Sequence, residues 1–213
     1  MEDIILIGGG GHCKSIIDTI KMAHSYNIVG IIDVENNIGK YINGIRVIDS
    51  DKNLWKYKSY GIKNAFISIG SVGNTSLRRK LCYLAKKTEF IFPIIIDNSA
   101  IVSEDVQVGE GTFIGKRVLV NTGSVVGSNC ILNSGAIIEH DCYLEDFVHI
   151  SPGSVLCGGV KVGSDSHIGS NSTIIQYRTI GSNVMIGAGS IVTKDIKSNV
   201  KALGNPCKII QEY

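Results

Sequence analysis

The stretch Ile150-Ser-Pro-Gly-Ser-Val-Leu156-Cys-Gly-Gly-Val-Lys-Val162-Gly-Ser-Asp-Ser-His-Ile168 places an aliphatic residue at every sixth position. The same spacing holds at sixteen consecutive sites, each of them Val, Ile or Leu. These sites are Val102, Val108, Ile114, Val120, Val126, Leu132, Ile138, Leu144, Ile150, Leu156, Val162, Ile168, Ile174, Ile180, Ile186 and Val192. So long a repeat predicts one small structural unit used many times.

The third residue after each aliphatic site is usually of a type that tolerates a positive φ angle. Thirteen of the sixteen are Gly, Asn or Asp, namely Asp105, Gly111, Gly123, Asn129, Gly135, Asp141, Gly153, Gly159, Asp165, Asn171, Asn183, Gly189 and Asp195. We therefore predict a corner at each of them, with a short β segment between corners. Three such units close a triangular coil of 18 residues, and the sequence predicts a parallel β-helix of about five coils stacked roughly 4.8 Å apart.

The first half of the chain has a different pattern. A buried strand at residues 4–7 runs into four glycines, and residues 15–23 then have helical spacing. A second apolar strand ends at Asp33, about twenty residues past the glycines, where dinucleotide-binding folds place the acid that holds a ribose hydroxyl. Cys13 replaces the third glycine of the dinucleotide signature. This pattern predicts part of a Rossmann fold; a tight turn that only packs a strand against a helix is the alternative.

Only one more apolar strand, at residues 65–70, and a basic helix, at residues 77–87, follow in this half. We therefore expect half a Rossmann fold, enough to bind one nucleotide.

The composition limits the classes of function. The 213 residues include 21 Lys and Arg against 19 Asp and Glu, without basic runs, which argues against nucleic-acid and membrane-surface binding. No apolar run approaches the roughly 18 residues of a membrane span, and the acidic start is unlike a signal peptide. We expect a cytoplasmic protein that acts on small molecules. Six scattered cysteines without a Cys-x-x-Cys pair predict free thiols.

Three motifs together carry a resemblance to a known family: Ile7-Gly-Gly-Gly-Gly-His-Cys-Lys14, Ile69-Gly70, and Ile138-Glu-His-Asp-Cys142. The whole chain resembles the hexapeptide-repeat sugar O- and N-acetyltransferases, typified by the sialic-acid and bacillosamine-pathway enzymes. The resemblance implies that residues 1–95 form a Rossmann-like domain that binds a nucleotide-sugar. It implies that residues 96–213 form a left-handed β-helix with a C-terminal tail, which assembles into homotrimers with acetyl-CoA between neighbouring helices.

The chemistry requires a base, since acetyl transfer from a thioester to an amine or hydroxyl needs a group that takes the proton of the nucleophile, and no metal. Histidine suits this role. Among the histidines of the β-helix, His140 lies on a corner, where its ring must project outward, and we predict that it is the base. Asp141 can orient the imidazole; the alternative is that it serves only as a corner residue.

The resemblance also implies roles for further residues. Glu139 and Asn133 match active-site positions with secondary roles. The positions that match the acetyl-CoA site are His149, Gly158, Ser170, Ala188 and Lys208. Those that match the nucleotide-sugar site are Gly10, Gly11, His12, Asp33, Val34, Gly70 and Gly73. His167 lies one coil beyond His149, and a surface ladder of histidines without a role is the alternative for this pair.

The favoured function is acetyl-CoA-dependent N-acetylation of a nucleotide-linked amino sugar of the UDP-4-amino-sugar type, without a metal. O-acetylation of a sialic-acid-like sugar is the first alternative, and a non-catalytic nucleotide-sugar-binding protein is the second. A trimeric metal hydratase would place two histidines five residues apart, and this sequence has no such pair.

Overall fold

The computed structural model describes residues 1–213 and divides the chain into two units. The first contains Met1–Ser71 and Thr75–Ile95, and the second contains Val72–Asn74 and Ile96–Tyr213. None of the helices is long and apolar enough to cross a bilayer.

The first unit is built on a five-stranded sheet with the strand order β3-β4-β2-β1-β5. Its elements are β1 (Glu2–Ile7), α1 (Gly11–Ala23), β2 (Tyr26–Ile32), β3 (Tyr41–Ile42), β4 (Ile45–Asp49), α2 (Leu54–Ser59), β5 (Asn64–Ile67) and α3 (Ser76–Lys87). Strands β4, β2, β1 and β5 are parallel, so their carboxyl ends lie at one edge of the sheet. From β1 the strand order continues through β2 to β4 on one side, whereas β5 lies on the other side of β1. Open α/β sheets bind ligands at such a switch point, outside the carboxyl ends of the strands.

The expected half of a Rossmann fold is confirmed, with one omission. The sequence pattern predicts a single strand after the second one, whereas the structure adds the parallel strand β4, its short antiparallel neighbour β3 and helix α2. The pattern of β4, Ile-Arg-Val-Ile-Asp, is short and mixed, because only its Val47 is fully buried. Helix α1 also begins four residues before the predicted start, directly at Gly11.

The second unit is the predicted left-handed parallel β-helix. Its strands form three sheets, which we name A, B and C. Sheet A contains β7 (Ile101–Val102), β10 (Leu119–Val120), β13 (Ile137–Ile138), β16 (Val155–Leu156), β19 (Thr173–Ile174) and β22 (Ile191–Val192). Sheet B contains β8 (Gln107–Val108), β11 (Val125–Val126), β14 (Tyr143–Leu144), β17 (Lys161–Val162) and β20 (Thr179–Ile180).

Sheet C closes the prism and continues into the C-terminus. It contains β9 (Phe113–Ile114), β12 (Ile131–Leu132), β15 (His149–Ile150), β18 (His167–Ile168), β21 (Val184–Ile186) and β23 (Val200–Leu203), followed by the antiparallel β24 (Lys208–Glu212). Strand β6 (Ile95–Ile96) lies where the chain passes from the first unit to the second. From β7 to β22 each paired strand registers with the one 18 residues later, as in the pair Val120 and Ile138, whereas β21 and β23 are offset by 16 residues, as in the pair Val184 and Val200.

The core of the β-helix is the stack of aliphatic residues predicted from the repeat. The side chains from Ile114 to Val192 in this series are at most 2% exposed, whereas Val102 and Val108, in the first coil, are only partly buried. Burial of a Val, Leu or Ile side chain stabilises by about 1.5–3 kcal/mol, so the stack holds the fold with little aromatic content.

A second row of buried residues, small and polar, fastens each coil to the next. The hydroxyl of Ser124 donates to the carbonyl of Glu139 and accepts from the backbone N–H of Cys142. Ser166 makes the equivalent bonds to Gly181 and Val184. This row therefore satisfies backbone groups that would otherwise be buried without partners.

The corners adopt positive φ even where the residue type does not favour it. Eleven of the thirteen predicted corner residues have positive φ; Asp105 and Asp195, in the first and last coils, do not. Arg117, Phe147 and Tyr177 have φ of 56, 60 and 57° at corners that the sequence did not mark. The geometry of the coil thus overrides a local cost of about 1–2 kcal/mol per residue.

Candidate active site

The corner that joins sheet A to sheet B carries the predicted catalytic residues. Glu139, His140 and Asp141 follow β13 directly, and Asp141 has a φ of 59°. The tight turn aims the His140 ring away from the core, and its side chain is 48% exposed. Nδ1 of His140 lies 2.8 Å from Oδ2 of Asp141.

This contact fixes the tautomer of the imidazole. An ionised carboxylate can only accept a hydrogen bond, so Nδ1 carries the proton. Nε2 is then left with a lone pair and can accept a proton from a nucleophile. The arrangement can therefore act as a general base oriented by a carboxylate.

Glu139 is held by a residue that the sequence analysis missed. Asn121 donates from Nδ2 to Oε2 of Glu139 at 2.9 Å, and its Oδ1 accepts from the backbone N–H of Thr122. Asn121 lies 18 residues before Glu139, so the period of the repeat was the signal that could have found it.

The carboxylate of Asp105 anchors the backbone of the coil that precedes the His140–Asp141 pair. Asp105 accepts from Thr122 Oγ1 and from the Gly123 N–H, both at 2.8 Å. These hydrogen bonds lower the pKa of Asp105. A Cβ at Gly123 would lie 2.5 Å from Oδ1 of Asp141, so the carboxylate of the dyad rests closely on this coil.

Gly158 lies one coil beyond His140, against the ring. A Cβ placed on it would be 2.5 Å from both Cε1 and Nε2 of His140. Gly158 was expected at the acetyl-CoA site, and that role stays a prediction. A groove of about 470 Å³ begins beyond this corner on the outer face of sheet B, lined by Tyr143, Lys161 and Thr179 among others.

A single chain does not bring the remaining predicted residues of the β-helix to His140. Asn133, Ser170 and Ala188 lie on the corner that joins sheet C to sheet A, on the other side of sheet A. Asn133 caps its own corner, because its Oδ1 accepts from the backbone N–H of Ser134 at 3.0 Å. Lys208 is exposed at the start of β24.

His149 and His167 stack on sheet C, but not as a surface ladder. They are 7% and 6% exposed, and their rings meet edge to face with centroids 4.7 Å apart. Nε2 of His167 also lies 3.2 Å from Oγ of Ser151. The two rings are therefore buried, not exposed on the surface; a contact of His149 with acetyl-CoA stays a prediction, and so does its alternative, a pair without a role.

The glycine loop of the first unit joins β1 to α1 at the carboxyl edge of the sheet. Gly9 is packed against the end of β2, since a Cβ there would be 2.7 Å from Oδ2 of Asp33. Gly10 and Gly11 are open, with no atom within 4 Å of a Cβ at either position. The loop thus presents bare backbone at a helix N-terminus, an arrangement that suits a phosphate.

Asp33 lies at this edge, as expected from the strand pattern. Its Oδ1 accepts from the Val34 N–H and its Oδ2 from Asn37 Nδ2, both at 2.8 Å. The carboxylate is therefore held in place with lone pairs remaining for a hydroxyl donor. Val34 itself is 61% exposed.

His12 and Gly70 meet at the same edge, because a Cβ at Gly70 would be 3.6 Å from Cβ of His12. Burial and then the charge of Arg78 lower the pKa of His12 to about 4. His12 is therefore neutral at pH 7. Gly73 lies in the second unit and has a φ of +68°. A Cβ at Gly73 would lie 3.0 Å from Sδ of Met185.

The cysteines are free thiols, and four of the six are buried. Burial raises the pKa of Cys13 to about 11, so this residue of the first turn of α1 packs as a small apolar group. The chain contains no cluster of three or more His, Cys, Asp or Glu side chains that could hold a metal ion.

A β-helix of hexapeptide repeats with a histidine–carboxylate pair on a corner defines the class of hexapeptide-repeat acyltransferases. Residues 3–83 match the model of the PglD N-terminal domain. Residues 141–176 match the bacterial transferase hexapeptide, and residues 105–144 and 159–194 match the hexapeptide repeat of succinyl-transferase.

Two solved structures are similar over nearly the whole chain. A perosamine N-acetyltransferase from Caulobacter crescentus, in complex with CoA and GDP-perosamine, is 33% identical, with a TM-score of 0.93, over 100% of this chain and 98% of that one. The acetyltransferase domain of PglB from Neisseria gonorrhoeae, in complex with acetyl coenzyme A, is 31% identical, with a TM-score of 0.89, over 98% of this chain and 99% of that one. The chain belongs to the hexapeptide-repeat sugar acetyltransferase family with a PglD-type N-terminal domain.

Curated relatives match over shorter regions. A Staphylococcus aureus protein described as an acetyltransferase is 39% identical over 67 residues, which are 32% of this chain and 34% of that protein. The galactoside O-acetyltransferase of Escherichia coli is 53% identical over 53 residues, which are 25% of this chain and 26% of that protein. The matches thus span about a third or less of these relatives.

Proposed function

We propose that the protein transfers the acetyl group of acetyl-CoA to the amino group of a nucleotide-linked amino sugar. The observation that carries this proposal is the His140–Asp141 pair on an open corner, with Nδ1 and Oδ2 2.8 Å apart. The similarity over the full chain to a structure with CoA and GDP-perosamine supports an activated amino sugar as the substrate.

The sugar amine attacks the thioester carbonyl of acetyl-CoA, and Nε2 of His140 takes the proton that the nitrogen loses. A backbone amide holds the tetrahedral oxyanion until it collapses to the amide and the CoA thiolate. The thiolate leaves and recovers a proton from the imidazolium, so the histidine is ready for another cycle. Asp141 holds the ring and stabilises its cationic form.

The sugar nucleotide binds at the carboxyl edge of the first unit. The open glycines 10 and 11 leave room for the phosphates at the N-terminus of α1. Asp33 holds a ribose hydroxyl, and the neutral His12 adds no positive charge of its own to the site at pH 7. The UDP-4-amino-sugar type remains the expected class.

The active form is a homotrimer in which sheet A faces the threefold axis. The outward residues of sheet A are apolar in five of six positions, Ile101, Leu119, Ile137, Val155 and Ile191, with Thr173 as the sixth, and all six are partly or fully exposed in the single chain. Sheet B instead presents Gln107, Tyr143, Lys161 and Thr179 alongside Val125. An uncovered apolar stripe of this length is typical of an interface.

Such a ring would complete the site. Sheet A is flanked by the corner of His140 on one side and by the corner of Asn133, Ser170 and Ala188 on the other. Around a threefold axis, the first corner of one protomer lies beside the second corner of its neighbour. Acetyl-CoA would then lie between protomers, with its reactive end near His140.

The test is a CoA-release assay with acetyl-CoA and a panel of UDP-, GDP-, dTDP- and CMP-linked sugars, each as the amino sugar and as its hydroxyl counterpart. We expect turnover with an amino sugar and not with its hydroxyl counterpart. Turnover with the hydroxyl sugar alone would establish the O-acetyltransferase. Tight nucleotide-sugar binding without turnover of any of them would establish a binding protein.

A further inference from the structure

One corner position of the β-helix breaks the residue pattern that the others share. The second residue after each aliphatic site carries a side chain at fifteen of the sixteen corners, and position 158 is the single glycine. The residues at these positions are Glu104, Glu110, Lys116, Thr122, Ser128, Ser134, His140, Asp146, Pro152, Gly158, Ser164, Ser170, Gln176, Ser182, Ala188 and Lys194.

The backbone does not require glycine at this position. The positive φ of the corner falls on the next residue, Gly159, at 70°, whereas Gly158 itself does not have a positive φ. Residues with side chains occupy the equivalent place at each of the fifteen other corners. The reason for a glycine must therefore lie in the space around it.

That space is filled by the ring of His140. A Cβ on Gly158 would lie 2.5 Å from Cε1, 2.5 Å from Nε2 and 3.1 Å from Cδ2. Nε2 and Cδ2 are not bonded to Nδ1, the atom that contacts Asp141, and Cε1 lies between the two ring nitrogens. The imidazole is thus held at one edge by a carboxylate and rests at the other on a bare Cα.

We propose that Gly158 is a positioning residue for His140, and that its missing side chain sets where Nε2 points. This role rests on the proposed function for its catalytic meaning, and it is distinct from contact with the cosubstrate. A methyl group at position 158 would push the ring outward, lengthen the contact between Nδ1 and Oδ2, and move Nε2 away from the attacking amine. A displacement of about 1 Å in a reacting group can cost on the order of 100-fold in rate.

The first test uses the ligand-free protein and the variant Gly158→Ala. The ¹⁵N shifts of His140, assigned by their loss in His140→Ala, should show the Nδ1–H tautomer in the wild type and a mixture of tautomers in Gly158→Ala. Unchanged ¹⁵N shifts in the variant would overturn the proposal. Since no substrate is involved, this result does not depend on whether the protein acetylates sugars.

The second test is a double-mutant cycle with His140→Ala. It remains informative if Gly158→Ala folds poorly, because it also compares melting temperatures. Without the ring, the new methyl group has room, so the melting temperature lost in Gly158→Ala should return in the double variant. We expect kcat to fall about 30- to 100-fold in the wild-type background and less than twofold in the His140→Ala background. Equal losses in both backgrounds, of stability or of rate, would show that Gly158 acts independently of the histidine.

Discussion

Nδ1 of His140 lies 2.8 Å from Oδ2 of Asp141, the residue that follows it in the chain. Two consecutive residues can make this contact because the corner places Asp141 at a positive φ and turns both side chains outward. The turn that the repeat needs at every coil thus also brings together the proposed base and the carboxylate that contacts it.

Replacement of the base should separate chemistry from binding. In His140→Ala we expect kcat to fall by about 10²- to 10⁴-fold, because the corner then has no imidazole to take the proton. Nucleotide-sugar affinity, measured by calorimetry, should stay within twofold, since the proposed nucleotide-sugar site lies in the first unit. Near-normal turnover in His140→Ala would remove the histidine from the mechanism.

The charge of Asp141 can be removed without disturbing the corner. Asn also tolerates positive φ, so Asp141→Asn should keep the melting temperature and lower kcat by about 10- to 100-fold. Asp165→Asn is the matched control, because Asp165 occupies the equivalent place on another corner, at a φ of 65°, where Ser164 stands in the place of His140. Equal kcat for Asp141→Asn and the wild type would make Asp141 a corner residue only.

The glycine loop offers a variant that blocks the ligand without harming the fold. A Cβ on Gly11 meets no protein atom, and Ala at the start of α1 is favoured over Gly by up to about 1 kcal/mol. Gly11→Ala should therefore be at least as stable as the wild type but bind the nucleotide-sugar at least tenfold more weakly. Ser15→Ala, one turn further along α1, should change neither quantity. Undiminished affinity in Gly11→Ala would place the phosphates elsewhere.

The apolar stripe of sheet A predicts the assembly. Ile137→Lys puts a charge in the middle of the proposed interface, so light scattering should report monomers, and activity should be lost with the trimer. Thr179→Lys makes the same change on the polar face of sheet B and should remain trimeric. A trimer that persists in Ile137→Lys would assign the interface to another face.

The half-buried His12 should make the first unit sensitive to acid. Its pKa of about 4 lies below the ordinary 6.5, so the unfolded chain binds more protons than the folded one between these two values. The free energy of unfolding should fall as the pH drops from 6.5 toward 4, by up to about 3 kcal/mol from this residue. Urea unfolding followed by Trp55 fluorescence measures it. His12→Gln should flatten this dependence, and an equally steep slope in that variant would assign the acid sensitivity to other groups.

Much of the fold could be predicted from the sequence because the β-helix repeats a simple rule. One aliphatic residue per six fixes the core, and the inward side chains from Ile114 to Val192 occupy the predicted places. Strand β4 was missed because its burial is partial and its pattern short. The corners at Arg117, Phe147 and Tyr177 were missed because the conformation there is imposed by neighbouring coils rather than by the residue itself.

The candidate site was less accessible to sequence reasoning. His140 could be placed on a corner from the period alone. The support of Glu139 by Asn121 depends on a contact between coils. The burial of His149 and His167 likewise could not be deduced from the repeat, because the repeat marks only the inward-facing positions as buried.

The row of buried hydroxyls that ties Ser124 to Cys142 and Ser166 to Val184 works only while residues eighteen apart stay in line. Loss or gain of a complete turn would leave every such link intact, so the cylinder could lengthen or shorten over evolution by whole turns. A single added residue within a strand would instead turn aliphatic side chains toward water in every later turn. Sequence variation among related chains should therefore concentrate at the edges of the prism, where extra residues can bulge outward without breaking the alignment.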